Sequence, residues 1–281
     1  YYDPTTNEII DFVGGVKDIK AKKLCFIGDT KTRLAEDPVR VLRAMRFSAK
    51  LGFEIAPDIL AQASSTAKRM EAIPPARLFD EFLKLFLNGN AETVWRTMRK
   101  TPLATALFPC CDPHSALVLA AMRNTDERIR GGSSVTPGFL VAVLLWEDFK
   151  ARSTSTDMGN DDPAFATLKN QQSYVAVPRR FGTFAREVWL IQERLHKRNV
   201  RSIDRLVTHK RFRAGYDFLC LQAESDEQVR PLAQWWTAFQ EADEIERRTL
   251  INQLPKAPRK RRRSKGKRTN SVAATEETGS S

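Results

Sequence analysis

The stretch that decides the fold runs from Glu36 to Phe53: Glu-Asp-Pro-Val-Arg-Val-Leu-Arg-Ala-Met-Arg-Phe-Ser-Ala-Lys-Leu-Gly-Phe. Asp37 followed by Pro38 signals a helix start, because Asp caps orphan N–H groups and Pro at the first helical position gives up no needed donor. Val39, Leu42, Met45 and Leu51 mark one apolar stripe, and Gly52 is a terminator, so the spacing predicts a helix. Arg40, Arg43 and Arg46 recur every third residue and stay within a partial arc, a cationic ridge with Asp37 one turn before Arg40. Such a pair suits a base edge. Asp37 would accept from the exocyclic amino group of adenine while Arg40 donates to the neighbouring ring nitrogen, leaving the other arginines for phosphate oxygens. The competing reading is that Asp37 only caps and the arginines form a solvated face.

The chain has 281 residues, 42% of them hydrophobic, which is enough for one large or two modest globular cores. No apolar run is long enough to span a bilayer and no signal peptide opens the sequence, so the expectation is a soluble, cytoplasmic protein. Cys25, Cys110, Cys111 and Cys220 show no CxxC spacing, and His114, His196 and His209 are far apart. Structural thiols and no zinc site are expected. Net charge is +12. From Pro255 to Ser281 nine Lys or Arg stand against two Glu, so this tail alone carries +7 of the excess. Polyanions such as RNA are the natural partner.

Residues 1 to 13 read as a hairpin turning around Pro4-Thr5-Thr6-Asn7. Lys17 to Lys23 suggests a short helix and Leu24 to Ile27 a strand, with Gly14-Gly15 open to two readings, a phosphate cradle or a plain strand exit. Beyond the motif helix the pattern is almost entirely helical. One helix is expected over Pro57 to Met70 and another after Ile73-Pro74-Pro75, with Leu78, Phe82, Leu85 and Phe86 on its apolar face and Arg77 and Glu81 spaced to pair at i,i+4. One helix is expected over 91–108 and further helices over 115–122 and 139–149, with a connection over 151–163. Trp95, Trp146 and Trp189 read as core. From Val177 to Leu221 cationic residues mix with rings. Arg179, Arg180, Lys210, Arg211 and Arg213 can hold a single strand by phosphate contact and stacking, or merely form the outer face of amphipathic helices. Arg259, Lys260, Arg261, Arg262 and Arg263 open a tail too polar to bury a core, expected to be a disordered RNA-binding arm; a localisation signal is the alternative.

Glu36-Asp37-Pro38-Val39-Arg40, continuing through Leu42-Arg43-Ala44, Arg46-Phe47 and Lys50-Leu51-Gly52, resembles the base-selecting motif shared by bacterial poly(A) polymerases and class II tRNA nucleotidyltransferases. The resemblance implies that Asp37 and Arg40 act as an amino-acid template for the incoming base, with Arg43 and Arg46 near its phosphates and Glu36 in support. Pro74-Pro75-Ala76-Arg77-Leu78-Phe79-x-Glu81 resembles a neck motif whose Arg77 and Glu81 buttress the base-reading side chains. Tyr1 to Ile19 resembles the end of the catalytic head. Pro178-Arg179-Arg180-Phe181, Lys210 to Asp217, the Trp235-Trp236 segment and the arginine-rich tail are similar to poly(A) polymerase rather than to the tRNA enzyme.

The resemblance implies a mainly α fold: a short β-hairpin and strand belonging to a nucleotidyltransferase α/β head over 1–30, a neck over 31–109, a helical body over 110–254 and a disordered basic tail over 255–281. It also implies an enzyme that adds AMP from ATP to RNA 3′ ends with Mg²⁺, its products directed to decay by RNA-decay proteins. The family's three metal-binding carboxylates have no counterpart here and are expected upstream of Tyr1, so no catalytic or metal-binding residue is assigned. By itself the chain is expected to bind RNA weakly without extending it. A tRNA nucleotidyltransferase adding CCA and a non-catalytic helical RNA-binding protein are the rivals.

Overall fold

The computed structural model describes residues 1–155, 162–198, 200 and 202–254. The two expected strands of the N-terminal hairpin are two residues each, β1 (Tyr2–Asp3) and β2 (Glu8–Ile9), paired antiparallel. Helix α1 (Gly15–Lys20) follows, then β3 (Lys23–Leu24). The strand expected over residues 24–27 is shorter than its apolar run. Its ladder partner β4 (Glu54–Ile55) lies on the far side of the motif helix and runs parallel to it over two residues only, which leaves Ile27 66% exposed.

Helix α2 (Thr30–Glu36) has no counterpart in the sequence expectations, because its seven residues bury only Thr30 and Leu34 and give no readable stripe. Asp29 caps it by accepting from the Thr32 N–H at 2.7 Å. The motif helix α3 (Arg40–Leu51) starts later than Asp37-Pro38 suggests. Asp37 closes α2 instead, in an extended conformation, and Pro38 and Val39 form the turn into α3. At the other end Gly52 takes φ 66°, the left-handed conformation that glycine adopts without steric cost. Val39, Leu42 and Met45 are buried as the stripe requires, whereas Leu51 is 51% exposed. Nine residues beyond Leu42 make two and a half turns, so Leu51 faces the opposite way.

The next apolar run breaks into α4 (Pro57–Ala61), α5 (Ala63–Lys68) and a 3₁₀ turn at Met70–Ala72, rather than one helix. Helices α6 (Pro75–Phe86) and α7 (Ala91–Met98) then pack on α3, and α8 (Leu103–Leu107) closes this part. Phe79, Phe82 and Phe86 form a ladder of rings along α6 that continues to Phe108 and Trp95. Helix α9 (Ala116–Arg130) lies across α7, and its Asp126 caps that helix from outside. The Asp126 carboxylate accepts from the N–H groups of Ala91 at 2.6 Å and Glu92 at 3.0 Å, a tertiary replacement for the side-chain cap that Asn90 does not give.

The rest is helical as well: α10 (Pro137–Leu144), α11 (Trp146–Thr154), α12 (Pro163–Gln171), α13 (Arg179–Lys197), α14 (Ile203–Val207), α15 (Phe212–Ser225), α16 (Arg230–Glu241) and α17 (Glu244–Asn252). The long α13 packs between α10 and α15. Trp95, Trp146 and Trp189 are buried, and Trp189 stacks on Phe149 at 4.7 Å while its indole N–H donates to the Ala142 carbonyl. One apolar cluster extends from Leu34 to Leu221, and a second, from Ile191 to Leu254, is built around Trp236. Between α13 and α15 the buried Gln192 donates to the Gly215 carbonyl at 2.8 Å and accepts from Gln222 at 2.9 Å. The helices approach so closely there that a Cβ on Gly215 would stand 2.3 Å from Ile191 Cγ2. The expectation of a mainly α chain with a short β element ahead of it is met.

Two stability measurements on the full-length protein check this packing. Asp126→Ala strands two helix N–H groups and should cost about 1–3 kcal/mol in chemical unfolding, with Asp126→Asn, which keeps an acceptor, losing less. Gly215→Ala should cost about 1–3 kcal/mol by forcing α13 and α15 apart, and a neutral result would show that the crossing is looser than described.

Candidate nucleotide and RNA interface

The turn from α2 into α3 is held by a network of charge-assisted bonds. Arg40 Nη1 donates to Glu36 Oε2 at 2.6 Å and to the Arg33 carbonyl at 2.7 Å. Arg33 reaches the same Glu36 oxygen at 3.0 Å, and the hydrogen bond from Arg40 leads the causes that hold the Glu36 carboxyl below its ordinary range. Arg69 donates to the carbonyls of Leu34 and Ala35, so guanidinium groups satisfy the last carbonyls of α2, where cations are also favoured by the helix dipole. Asp37 accepts from the Val39 N–H at 3.2 Å through one oxygen and from Arg77 Nη2 at 2.7 Å through the other, across forty residues of chain.

Arg77 therefore meets Asp37, not Glu81. The i,i+4 pair that spacing allows does not form: Glu81 is 7% exposed, and one of its oxygens takes the Lys84 ammonium at 2.8 Å while the other is buried without a partner. Glu36 supports Arg40 directly.

These anchors use only part of each group's capacity. An ionised carboxylate offers about four lone-pair sites and a guanidinium five N–H donors. Asp37 has committed two acceptor sites, and Arg40 has committed only Nη1, leaving Nη2 and Nε without a partner among the described residues. Both side chains are oriented and still able to bond outward.

Arg33, Arg40 and Arg43 line a pocket of about 400 Å³ together with Phe26, Ile27 and Phe47. Arg43 is exposed and makes no ion pair among the described residues. Cations on one wall and apolar surface on the other suit a planar heterocycle joined to phosphates. Asp37 is not among the lining residues. Arg46 also lies elsewhere, because two steps of three residues fall about 120° short of a full repeat on an α-helix. It lies over the Phe47 ring at 4.8 Å and lines a different pocket with Lys50 and Lys84. The ridge expected as one arc is thus divided around Phe47.

The cations of the second candidate region gather where α13 meets α15. Glu187 binds Lys210 at 2.9 Å and Arg211 at 2.7 Å. Burial alone would raise its carboxyl, but the hydrogen bonds from Arg211 and Lys210 outweigh that and hold it below the ordinary range. This contribution to stability is present above the unfolded value and is lost as pH falls through the folded one. Asp217 takes Arg213 at 2.9 Å and Arg128 at 3.2 Å. Arg211 lies over Phe184 at 4.5 Å and Arg180 over Phe181 at 4.6 Å, while Arg179 is exposed at the start of α13. Arg128, Lys210, Arg211 and Arg213 share a cavity of about 230 Å³. Arg128, like Arg33 and Arg69, has a place here that its sequence position does not advertise; only the approach of α9 to α15 brings it in. Arg259, Lys260, Arg261, Arg262 and Arg263 lie outside the described residues.

Among the described residues no three His, Cys, Asp or Glu side chains come together to hold a metal ion, and no helix is long and apolar enough to cross a membrane. The described residues therefore do not fit a divalent-metal site.

Comparison with known proteins bears on both regions. Residues 52–115 match the family model described as "Probable RNA and SrmB- binding site of polymerase A", and residues 162–270 match "Polymerase A arginine-rich C-terminus". Poly(A) polymerase I of Salmonella typhimurium is 34% identical over 283 residues, an alignment taking in 94% of this chain and 61% of that relative. The CCA-adding enzyme of Leuconostoc citreum is 40% identical over a shorter stretch of 84 residues, 30% of the chain and 21% of that relative. Among solved structures, the Thermotoga maritima CCA-adding enzyme complexed with tRNA shares the fold, with a TM-score of 0.57 at 20% identity, over 88% of this chain and 59% of that one. The chain spans about three-fifths of the length of the poly(A) polymerase relatives it matches. With both polymerase A models matched and a third of the residues shared along almost its whole length, the chain belongs to the bacterial poly(A) polymerase family, within the nucleotidyltransferase superfamily that also holds the CCA-adding enzymes.

Proposed function

We propose that this chain selects the nucleotide and holds the RNA in an enzyme that adds AMP from ATP to RNA 3′ ends. The observation that carries the reading is the pair Asp37 and Arg40, which flank the turn from α2 into α3, each fixed by a protein partner and each with free hydrogen-bonding capacity. Asp37 accepts from the adenine amino group, and Arg40 donates through Nη2 or Nε to the adjacent ring nitrogen. A base with the opposite donor and acceptor order leaves both groups buried against a mismatch, and that is the physical source of selectivity. Arg77 and Glu36 act as positioning residues, since each holds one reader. Arg43, exposed on the same wall as Arg40, faces the phosphates.

Arg179, Arg180, Lys210, Arg211 and Arg213 hold the RNA strand by phosphate contact, with Arg128 added to their group. The carboxylates of Glu187 and Asp217 orient these cations and lower their net field, which leaves binding salt-sensitive and readily reversible. The transfer uses Mg²⁺, for which the described residues offer no site. The enzyme acts in the cytoplasm, and its products pass to RNA-decay proteins.

Replacing the readers in the full-length protein tests this. Arg40→Ala and Asp37→Ala should each lower kcat/KM for ATP by about ten- to a hundredfold, the loss of one charge-assisted hydrogen bond, at unchanged RNA affinity. Unchanged ATP use in both variants would make the pair structural and favour a non-catalytic RNA-binding role. The local match to a CCA-adding enzyme supports one rival. Efficient cytidine addition to a trimmed tRNA by the full-length protein would replace adenylation as its activity.

A further inference from the structure

A second pocket lies on the other flank of α3. Arg46, Phe47, Lys50, Lys84, Asn88 and Asn90 line most of a cavity of about 450 Å³ where α3 meets the end of α6 and the start of α7. Its charge differs from that of the cavity around Arg211. There every cation but Arg128 and Arg213 is tied to Glu187, and those two share Asp217, which itself lines the space. Here no Asp or Glu lines the pocket. Glu81 reaches Lys84 but is buried below it, and Asp126 is buried and committed to the N–H groups of Ala91 and Glu92. Arg46 and Lys50 make no ion pair among the described residues.

Arg46 adds a second observation. Its Nε–H is shut away from solvent and has no acceptor, although Arg46 lines the pocket. A buried charged donor without an acceptor is a cost to the fold unless a ligand or water supplies one. Asn88 and Asn90 already donate to the carbonyls of Lys84 and Asn88, which fixes both amides at the rim with a second N–H and an oxygen each still available.

We propose that this pocket is a phosphate subsite for the RNA strand, in which Arg46, Lys50 and Lys84 hold a phosphodiester apart from the incoming nucleotide. Phosphate is the shared chemistry of RNA and of a triphosphate, and three features favour RNA. The pocket is about 120° around α3 from Arg40, with the Phe47 ring between. The asparagine amides offer both donors and acceptors, as a ribose 2′-hydroxyl beside a phosphate requires. Lys84, Asn88 and Asn90 fall within the stretch matched to an RNA-binding model, and Arg46 and Lys50 extend that surface onto the base-selecting helix. One helix would then set both the nucleotide and the strand that receives it. The inference rests on the reading above only in placing ATP at Arg40.

The test uses the full-length protein, single-stranded oligo(A) RNA and ATP. In Lys50→Ala/Lys84→Ala, which alters two exposed side chains, the Kd for RNA should rise on the order of tenfold, and the slope of log Kd against log salt should fall by roughly 1.4, about 0.7 for each lost phosphate contact. The KM for ATP should stay within about twofold. Asn88→Asp, which adds a negative charge without removing a contact, should weaken RNA binding as well. Unchanged RNA affinity and salt slope in both variants would overturn the proposal, and a raised KM for ATP at unchanged RNA affinity would assign the pocket to the triphosphate. If the unaltered full-length protein does not extend RNA with ATP, the proposed function fails while the RNA-binding arm still decides this inference.

Discussion

Burial of Val39, Leu42 and Met45 fixes the rotational phase of α3, and the direction of every functional side chain on that helix follows from it. With these residues packed against α6 and α7 and fully or almost fully excluded from solvent, α3 cannot turn on its axis. Arg40 and Arg43 are thereby sent toward the β3 flank and Arg46 toward the end of α6. A rotation of one residue would place an arginine in the core, at a desolvation cost that no packing gain would offset. The apolar face thus acts as the template for the charged one.

The second level of order is electrostatic and local. Both readers are held by partners that consume only part of their hydrogen-bonding capacity, Asp37 by Arg77 and Arg40 by Glu36. Exposed pairs of this kind add little to stability. Their worth lies in removing rotamer freedom before a ligand arrives, so that less entropy is lost on binding. Between α13 and α15 the same device works on a larger scale, where Glu187 and Asp217 arrange four cations whose attraction for a polyanion remains moderate.

Much of this was legible in the sequence, and the exceptions have physical causes. The helix over 40–51, though not its exact start, the glycine that ends it, the aromatic face of α6 and the three buried tryptophans are all written in short-range periodicity. Position 51 was misread because Leu is apolar wherever it points, and the step from Met45 is not a helical repeat. Helix α2 was missed because it buries too little to leave a stripe. The partner of Arg77 lies forty residues away, while the partner suggested by spacing, Glu81, turned inward to Lys84; local spacing proposes contacts but tertiary packing chooses among them. The parallel pairing of β3 with β4 is likewise a two-residue contact across a thirty-residue gap, with no local signal at either end. The division of the arginine ridge was implicit in the angle of 100° per residue, and three-residue spacing by itself conceals it.

The central claim is that Asp37 and Arg40 recognise the purine. It is tested most directly by a structure of the full-length protein with RNA and a non-hydrolysable ATP analogue. The account predicts the adenine amino group within hydrogen-bonding distance of Asp37 and a ring nitrogen within reach of Arg40, with Arg77 and Glu36 still in contact with their partners. A purine seated away from both side chains would contradict it.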